Sequence, residues 1–158
     1  MRLNLPPHPM PDVHFSLGDH KFNLRVGAII RRGDTVLLCN LPNQDWSYTP
    51  GGRVGTGESS REALARELRE ELGVEVEIGR QLLTGENFFT FRGTRIHEVC
   101  FFYEAVFPDG PTPATTGDGE ILRWMPLAGL AALDLKPPFL KEQILHPQTG
   151  VPWVIHRD

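Results

Sequence analysis

Cysteine is scarce in this chain: two in 158 residues, Cys39 and Cys100, each inside an apolar run, VLLCNL and EVCFFY. Two isolated thiols cannot build a disulfide framework or a thiolate zinc cluster, so the expectation is a pair of buried free cysteines. Positive charge is not in surplus either. Sixteen Lys and Arg against twenty Asp and Glu leave a net charge of −4. That argues against bulk nucleic acid or an acidic membrane as partner, because there is no excess of cations to neutralise rows of phosphates. A small phosphorylated ligand remains open, since a few local cations or bound metals suffice to hold it. Long apolar runs are also missing. None approaches the roughly 20 residues of a membrane span. The N-terminal MRLNLPPHPMPD has three prolines by position 9 and no apolar core, unlike a signal peptide. A cytoplasmic protein is the expectation.

With 40% hydrophobic and 23% charged residues, the chain has the ordinary make-up of a globular protein and suits a single core. Residues 1–20 read as an irregular proline-rich arm and residues 21–158 as one domain. FNLRVGAIIRR, the turn Gly33-Asp34 and TVLLCNL read as two strands of a hairpin. Ser59 and Glu62 form a capping box, Leu64, Leu68 and Leu72 fall four apart, and Gly73 sits at a C-cap, which predicts a helix from Ser60 to Leu72. Strands are predicted near 74–83, 86–92 and 95–107, then a mobile loop over 108–119, a short strand in ILRWMPL, and short helices in LAGLAALDL and FLKEQIL. Strands and helices do not alternate regularly, so the fold class is α+β or a sheet sandwiched by helices.

The helix carries an acidic stripe. At roughly 100° per residue the three leucines span about 80°, and Glu71, Glu67 and Glu70 lie about 20°, 60° and 120° beyond the stripe's edge. These carboxylates border the buried face, where water screens their mutual repulsion poorly. A divalent cation such as Mg²⁺, which takes oxygen ligands from a few carboxylates, waters and phosphates, relieves it. A solvated acidic face is the alternative on the glutamates alone. Arg66 is placed to pair with Glu70 or Glu62. Glu58 lies by the helix N-terminus, where the dipole favours negative charge. Gly51-Gly52 lets the backbone pass close by and offer a carbonyl.

Spacing decides between these readings. Gly52 is followed after five residues by Glu58, and after seven more by Arg66-Glu67-Leu68-Arg69-Glu70-Glu71-Leu72-Gly73-Val74. The stretch matches, at nine specified positions over 23 residues, the box G-x5-E-x7-R-E-U-x-E-E-x-G-U, with U apolar. In this the chain resembles the Nudix hydrolases. The resemblance implies the Nudix fold, a mixed sheet between helices (an α/β/α sandwich) with the box as loop–helix–loop. It also implies cleavage of nucleoside diphosphates linked to another group, using two or three Mg²⁺ or Mn²⁺ ions. Carried over residue by residue, it makes Glu67, Glu70 and Glu71 metal ligands with the Gly51 carbonyl as a further one. Glu58 would support the loop and reach a metal through water, and Arg66 would orient Glu67. Many relatives are dimers, so a homodimer is an expectation too.

The general base is left open, because family members take it from the box or from a later loop. Glu120, ending the loop in GDGEILRW, is the first candidate. Glu98 is the second: it shares a strand face with Ile96, Cys100 and Phe102 and should need a partner there. His97 points the other way. Arg25 on the first strand is placed to meet a phosphate. Trp46, Phe88, Phe89 and Phe91 are candidates to stack on a base, and Asn87 to hydrogen-bond its edge. Residues 85–92, GENFFTFR, lack the proline of ADP-ribose hydrolases and the tyrosine of dinucleoside polyphosphate hydrolases. What remains by elimination is MutT-like action on a nucleoside triphosphate, in intact or damaged form. ADP-ribose, sugar-nucleotide or dinucleoside polyphosphate hydrolysis, or a non-catalytic nucleotide-binding module, are the alternatives.

Overall fold

The computed structural model describes residues 11–158. Its strands are β1 (His14–Leu17), β2 (His20–Arg32), β3 (Thr35–Asn40), β4 (Gly51–Arg53), β5 (Glu77–Phe91), β6 (Thr94–Val106), β7 (Ile121–Pro126) and β8 (Trp153–Arg157). Two α-helices, α1 (Ser60–Leu72) and α2 (Leu140–Leu145), and a 3-10 helix at Leu127–Ala132 complete it. The sheet runs β7-β3-β2-β6-β5-β8, with β1 and β4 also paired to β2. The β2–β6 and β5–β8 pairs are parallel and the others antiparallel. This is the mixed, helix-flanked sheet of the α+β prediction. Among the described residues no helix is long and apolar enough to cross a membrane.

The helix α1 has the predicted bounds for the predicted reasons. The Ser59 hydroxyl accepts from the Glu62 N–H while the Glu62 carboxylate accepts from the Ser59 N–H, and Gly73 closes the helix at φ 69°. Leu64, Leu68 and Leu72 pack with Val26, Ala28, Ile30 and Leu37 of the sheet and with Tyr103 and Phe107. Each such side chain contributes about 1.5–3 kcal/mol by leaving water. A second core on the opposite face joins Ile29, Leu38, Leu83 and Phe102 to Leu130, Leu140 and Ile144.

The differences from the sequence reading have local causes. The first ten residues of the expected arm lie outside the described residues; beyond them, residues 14–17 are not irregular but form β1, with Phe15 stacked on Phe22 at 5.2 Å. The two strands expected over 74–92 are one, β5, with bulges between Ile78 and Leu83. Gly85, the apparent break, is inside it because the Phe139 ring occupies the space a Cβ would need, 2.3 Å away. The short helix expected in LAGLAALDL is present as a 3-10 helix over Leu127–Ala132. The loop over 108–119 is fixed at its far end, where Thr116 N–H donates to Glu120 O and Leu122 N–H to Ala114 O. Strands β4 and β8 escaped the sequence reading: β4 is three residues long, and β8 is a short edge strand held only by β5.

Candidate active site

Strand β4 brings the backbone against the acidic side of α1. A Cβ on Gly52 would lie 2.2 Å from Glu67 Cδ, and one on Gly51 2.1 Å from the Val26 carbonyl oxygen, so both positions need glycine. Arg66 fixes the junction. Its guanidinium donates to Glu58 at 2.6 and 3.1 Å, to Glu67 Oε1 at 2.8 Å and to the Arg53 carbonyl at 3.1 Å. Glu58 Oε1 also accepts from the Gly55 N–H at 2.7 Å. Both Glu58 oxygens are therefore engaged in holding the loop, and the Arg66 bonds keep its carboxyl below the usual range. Glu67 is oriented by Arg66, yet burial pushes its carboxyl up. Glu70 is exposed and touches Arg66 only at 3.4 Å.

Glu71 is in a different condition. Burial first, then the charges of Glu120 and Glu67, push its carboxyl up to about 8, against the opposing pull of the Gly51 N–H and Arg25. Its Oε2 is buried with no hydrogen-bond partner, an arrangement native proteins rarely leave uncompensated. Among the described residues no group of three His, Cys, Asp or Glu converges on a point to hold an ion alone. Glu67, Glu70 and Glu71 lie three and four residues apart along one side of α1. Such a donor set suits a hard cation that takes one or two carboxylates and completes its shell with water and phosphate oxygens.

Glu120 arrives from the other side. Tyr48 Oη donates to Glu120 Oε1, the Glu120 N–H donates to Thr116 Oγ1 at 3.1 Å, and Gly117 N–H ties the same turn to Glu71 O at 3.3 Å. Burial and the bond to Glu120 push the Tyr48 phenol up, so it stays a donor. Cys39, buried beside both Glu120 and Glu71, is likewise held as a thiol. Cys100 is buried and free as well.

A cavity of about 630 Å³ opens next to this cluster. Arg25, Trp46, Asn87, Phe89, Phe91, Glu98 and Glu120 all line it, whereas Glu67, Glu70 and Glu71 stand beyond its wall. Arg25 and Glu120 connect the two regions, since both line the cavity and both act on Glu71. Phe88 is not in the lining; it faces away, stacked on His97 at 4.2 Å under the Arg157 guanidinium. His97 pairs there with Glu86 at 2.9 Å. Glu98 has no ion pair among the described residues. Its neighbours in register are Asn23 on β2 and Asn87 on β5. The sequence reading missed Asn23, Tyr48 and Arg53. Asn23 was within reach, because FNLR alternation sets it on the same face as Arg25. Tyr48 and Arg53 lie in a loop and a three-residue strand that carry no periodic signal.

The model of the NUDIX domain matches residues 21–146 of the chain. An uncharacterized Nudix hydrolase of Bacillus subtilis, YvcI, is 40% identical over 112 residues, which cover 70% of each chain. CTP pyrophosphohydrolase of Escherichia coli is 39% identical over 77 residues, 46% of this chain and only 56% of that relative's length. The chain thus spans little more than half of that protein. Among solved structures, a MutT protein from Bacillus halodurans superposes with a TM-score of 0.69 over 85% of this chain and 89% of its own, at 21% identity, a likeness of fold.

Proposed function

Because the chain belongs to the Nudix family, we propose that it hydrolyses a diphosphate linkage in a nucleotide, most simply a nucleoside triphosphate to the monophosphate, with Mg²⁺ or Mn²⁺ held along Glu67, Glu70 and Glu71. The observation that carries this is Glu71: a carboxylate with a buried, partnerless oxygen, beside Glu120, which lines a cavity large enough for a nucleoside. The likeness to CTP pyrophosphohydrolase supports a nucleoside triphosphate. Two or three bound ions would neutralise the diphosphate and make water a nucleophile near neutral pH.

The protein's own part follows from its geometry. Arg66 and Glu58 hold the loop and Glu67 at fixed positions, so charge is arranged before substrate arrives. Arg25, between the cavity and Glu71, faces the phosphates. Glu120 accepts the proton from the attacking water. Tyr48 occupies its Oε1 and leaves Oε2, approached only by Thr116 Oγ1 at 3.5 Å, as the acceptor. Positioning and charge stabilisation do most of the work in such displacements.

The test is turnover of a panel of nucleoside triphosphates, ADP-ribose, sugar nucleotides and dinucleoside polyphosphates with Mg²⁺, following pyrophosphate and phosphate release. Pyrophosphate and a nucleoside monophosphate are the expected products, and Glu71→Gln should lower kcat by roughly a thousandfold or more. A panel that nowhere turns over would leave a binding module. A Glu71→Gln variant with full activity would remove the metal assignment.

A further inference from the structure

One feature of the cavity floor is unexplained by hydrolysis. Asn23 on β2, Glu98 on β6 and Asn87 on β5 are direct neighbours in register, so their side chains form one row across three strands. All three line the cavity. Asn23 is 5% and Asn87 6% exposed, and the Oδ1 of each is buried with no partner. Glu98 between them has no ion pair among the described residues. Two buried carboxamide oxygens without partners, flanking a half-buried carboxylate with no ion pair among the described residues, form a polar row able to receive a ligand's hydrogen bonds. Ile96, Phe89 and Phe102 lie around the row and suit the faces of an aromatic ring, while Lys21, Arg25 and His156 bring charged and polar groups to the same lining.

We propose that Asn23, Glu98 and Asn87 read the edge of the nucleotide's base, and that the base they select is of the guanine type. An ionised carboxylate only accepts hydrogen bonds, through two oxygens side by side, and a carboxamide both donates and accepts. Adjacent strands stand roughly 4.8 Å apart, so a carboxylate and one flanking carboxamide span about the width of a base edge. Guanine presents two neighbouring N–H donors, N1–H and the 2-amino group, beside the O6 acceptor. The two donors meet the two oxygens of Glu98, and O6 meets the N–H of a flanking asparagine. Adenine sets an acceptor at N1 against the carboxylate. Cytosine and uracil offer it a single donor position. Glu98 is thus a specificity residue in the sheet floor, while proton removal stays with Glu120, across the cavity beside Glu71. The second asparagine binds the remaining polar edge of the base or its ribose.

This inference rests on the nucleotide reading of the cavity, but its test does not need hydrolysis. Titrate the intact protein, in buffer with EDTA, with GMP, IMP, AMP and CMP by calorimetry, and repeat with Glu98→Gln and Asn23→Ala. IMP lacks only the 2-amino group. GMP should bind roughly tenfold or more tighter than IMP, because a site built around a donor rejects the analogue without it. AMP and CMP should bind weaker still. Glu98→Gln should bring GMP and IMP to within about twofold of each other, and Asn23→Ala should weaken GMP by several-fold, with both variants keeping the wild-type melting temperature to within a few degrees. Equal binding of the four nucleotides, or an unchanged GMP preference in Glu98→Gln, overturns the proposal. If Glu98→Gln does not fold, the wild-type GMP-to-IMP ratio decides alone. Failure of the hydrolysis panel with the GMP preference intact would remove the enzymatic reading and leave the base site standing.

Discussion

The acidic end of the site and the cavity floor are both short of partners, and they are built in opposite ways. At the acidic end, like charges crowd together over one contiguous stretch, 51–74, and the deficit is electrostatic: Glu71 is pushed up by burial and by Glu120 and Glu67. On the floor, the unpaired groups come from β2 and β5, far apart in sequence, and the deficit is of hydrogen bonds on two neutral carboxamides. The first region can be discharged by an ion of any suitable nucleotide complex. The second can be satisfied only by a ligand of matching shape and polarity. On the proposed reading, chemistry belongs to the acidic end and selectivity to the cavity floor, with Arg25 and Glu120 joining the two.

Gly52 is where the two regions can be separated most sharply. A methyl group there would lie 2.2 Å from Glu67 Cδ, so Gly52→Ala must displace the carboxylate or β4. Turnover should fall by about a hundredfold or more, since a misplacement of about 1 Å is enough, while base discrimination by the floor, measured as the ratio of nucleotide affinities, should survive. A Gly52→Ala variant with normal kcat would mean that Glu67 is not held where the reaction needs it. Tyr48→Phe is milder. It removes the donor to Glu120 Oε1 without altering shape, and kcat should drop roughly tenfold with KM nearly unchanged. A change confined to KM would instead place Tyr48 with the substrate.

The smallest effect is on stability without metal. Burial and the charges of Glu120 and Glu67 push the Glu71 carboxyl up to about 8 in the folded protein, against 4.5 as its ordinary value. The folded state therefore holds its proton more tightly than the unfolded chain, and stability falls as pH rises from roughly 4.5 through 8. Glu71→Gln removes that dependence. In EDTA it should melt clearly higher than wild type at pH 8 and match it near pH 5. No difference at pH 8 would mean that Glu71 finds a partner the structure does not show.

The two regions also differ in how far the sequence disclosed them. The α1 segment was legible because capping, leucine spacing and glycine positions are local signals that agree with one another. The carboxylates of the candidate site ride on that same helix. The sheet was legible as strands but not as an order: nothing local tells that β2 runs parallel to β6, or that Glu98 falls beside Asn23. Register is a property of two segments together, and a shift of one residue turns a side chain to the other face. From the sequence Glu98 is an anomaly on an apolar strand face, without the β2 neighbour that completes the row. Phe88 and Phe89 looked equivalent, and only pairing shows that Phe89 lines the cavity while Phe88 packs on His97. Tyr48, in a loop with no periodicity, meets Glu120 only through tertiary structure.

The most direct test of the central claim, that the partnerless carboxyl of Glu71 is a seat for a divalent cation, is proton release on Mg²⁺ binding. Mg²⁺ would be titrated into the protein at pH 7 by calorimetry in buffers of different ionisation enthalpy. With Glu71 titrating at about 8, most molecules carry its proton at pH 7, and binding must expel it. Release of about one proton per protein, abolished in Glu71→Gln, is the predicted result. Mg²⁺ binding that releases no proton, or the same release from wild type and Glu71→Gln, would contradict it.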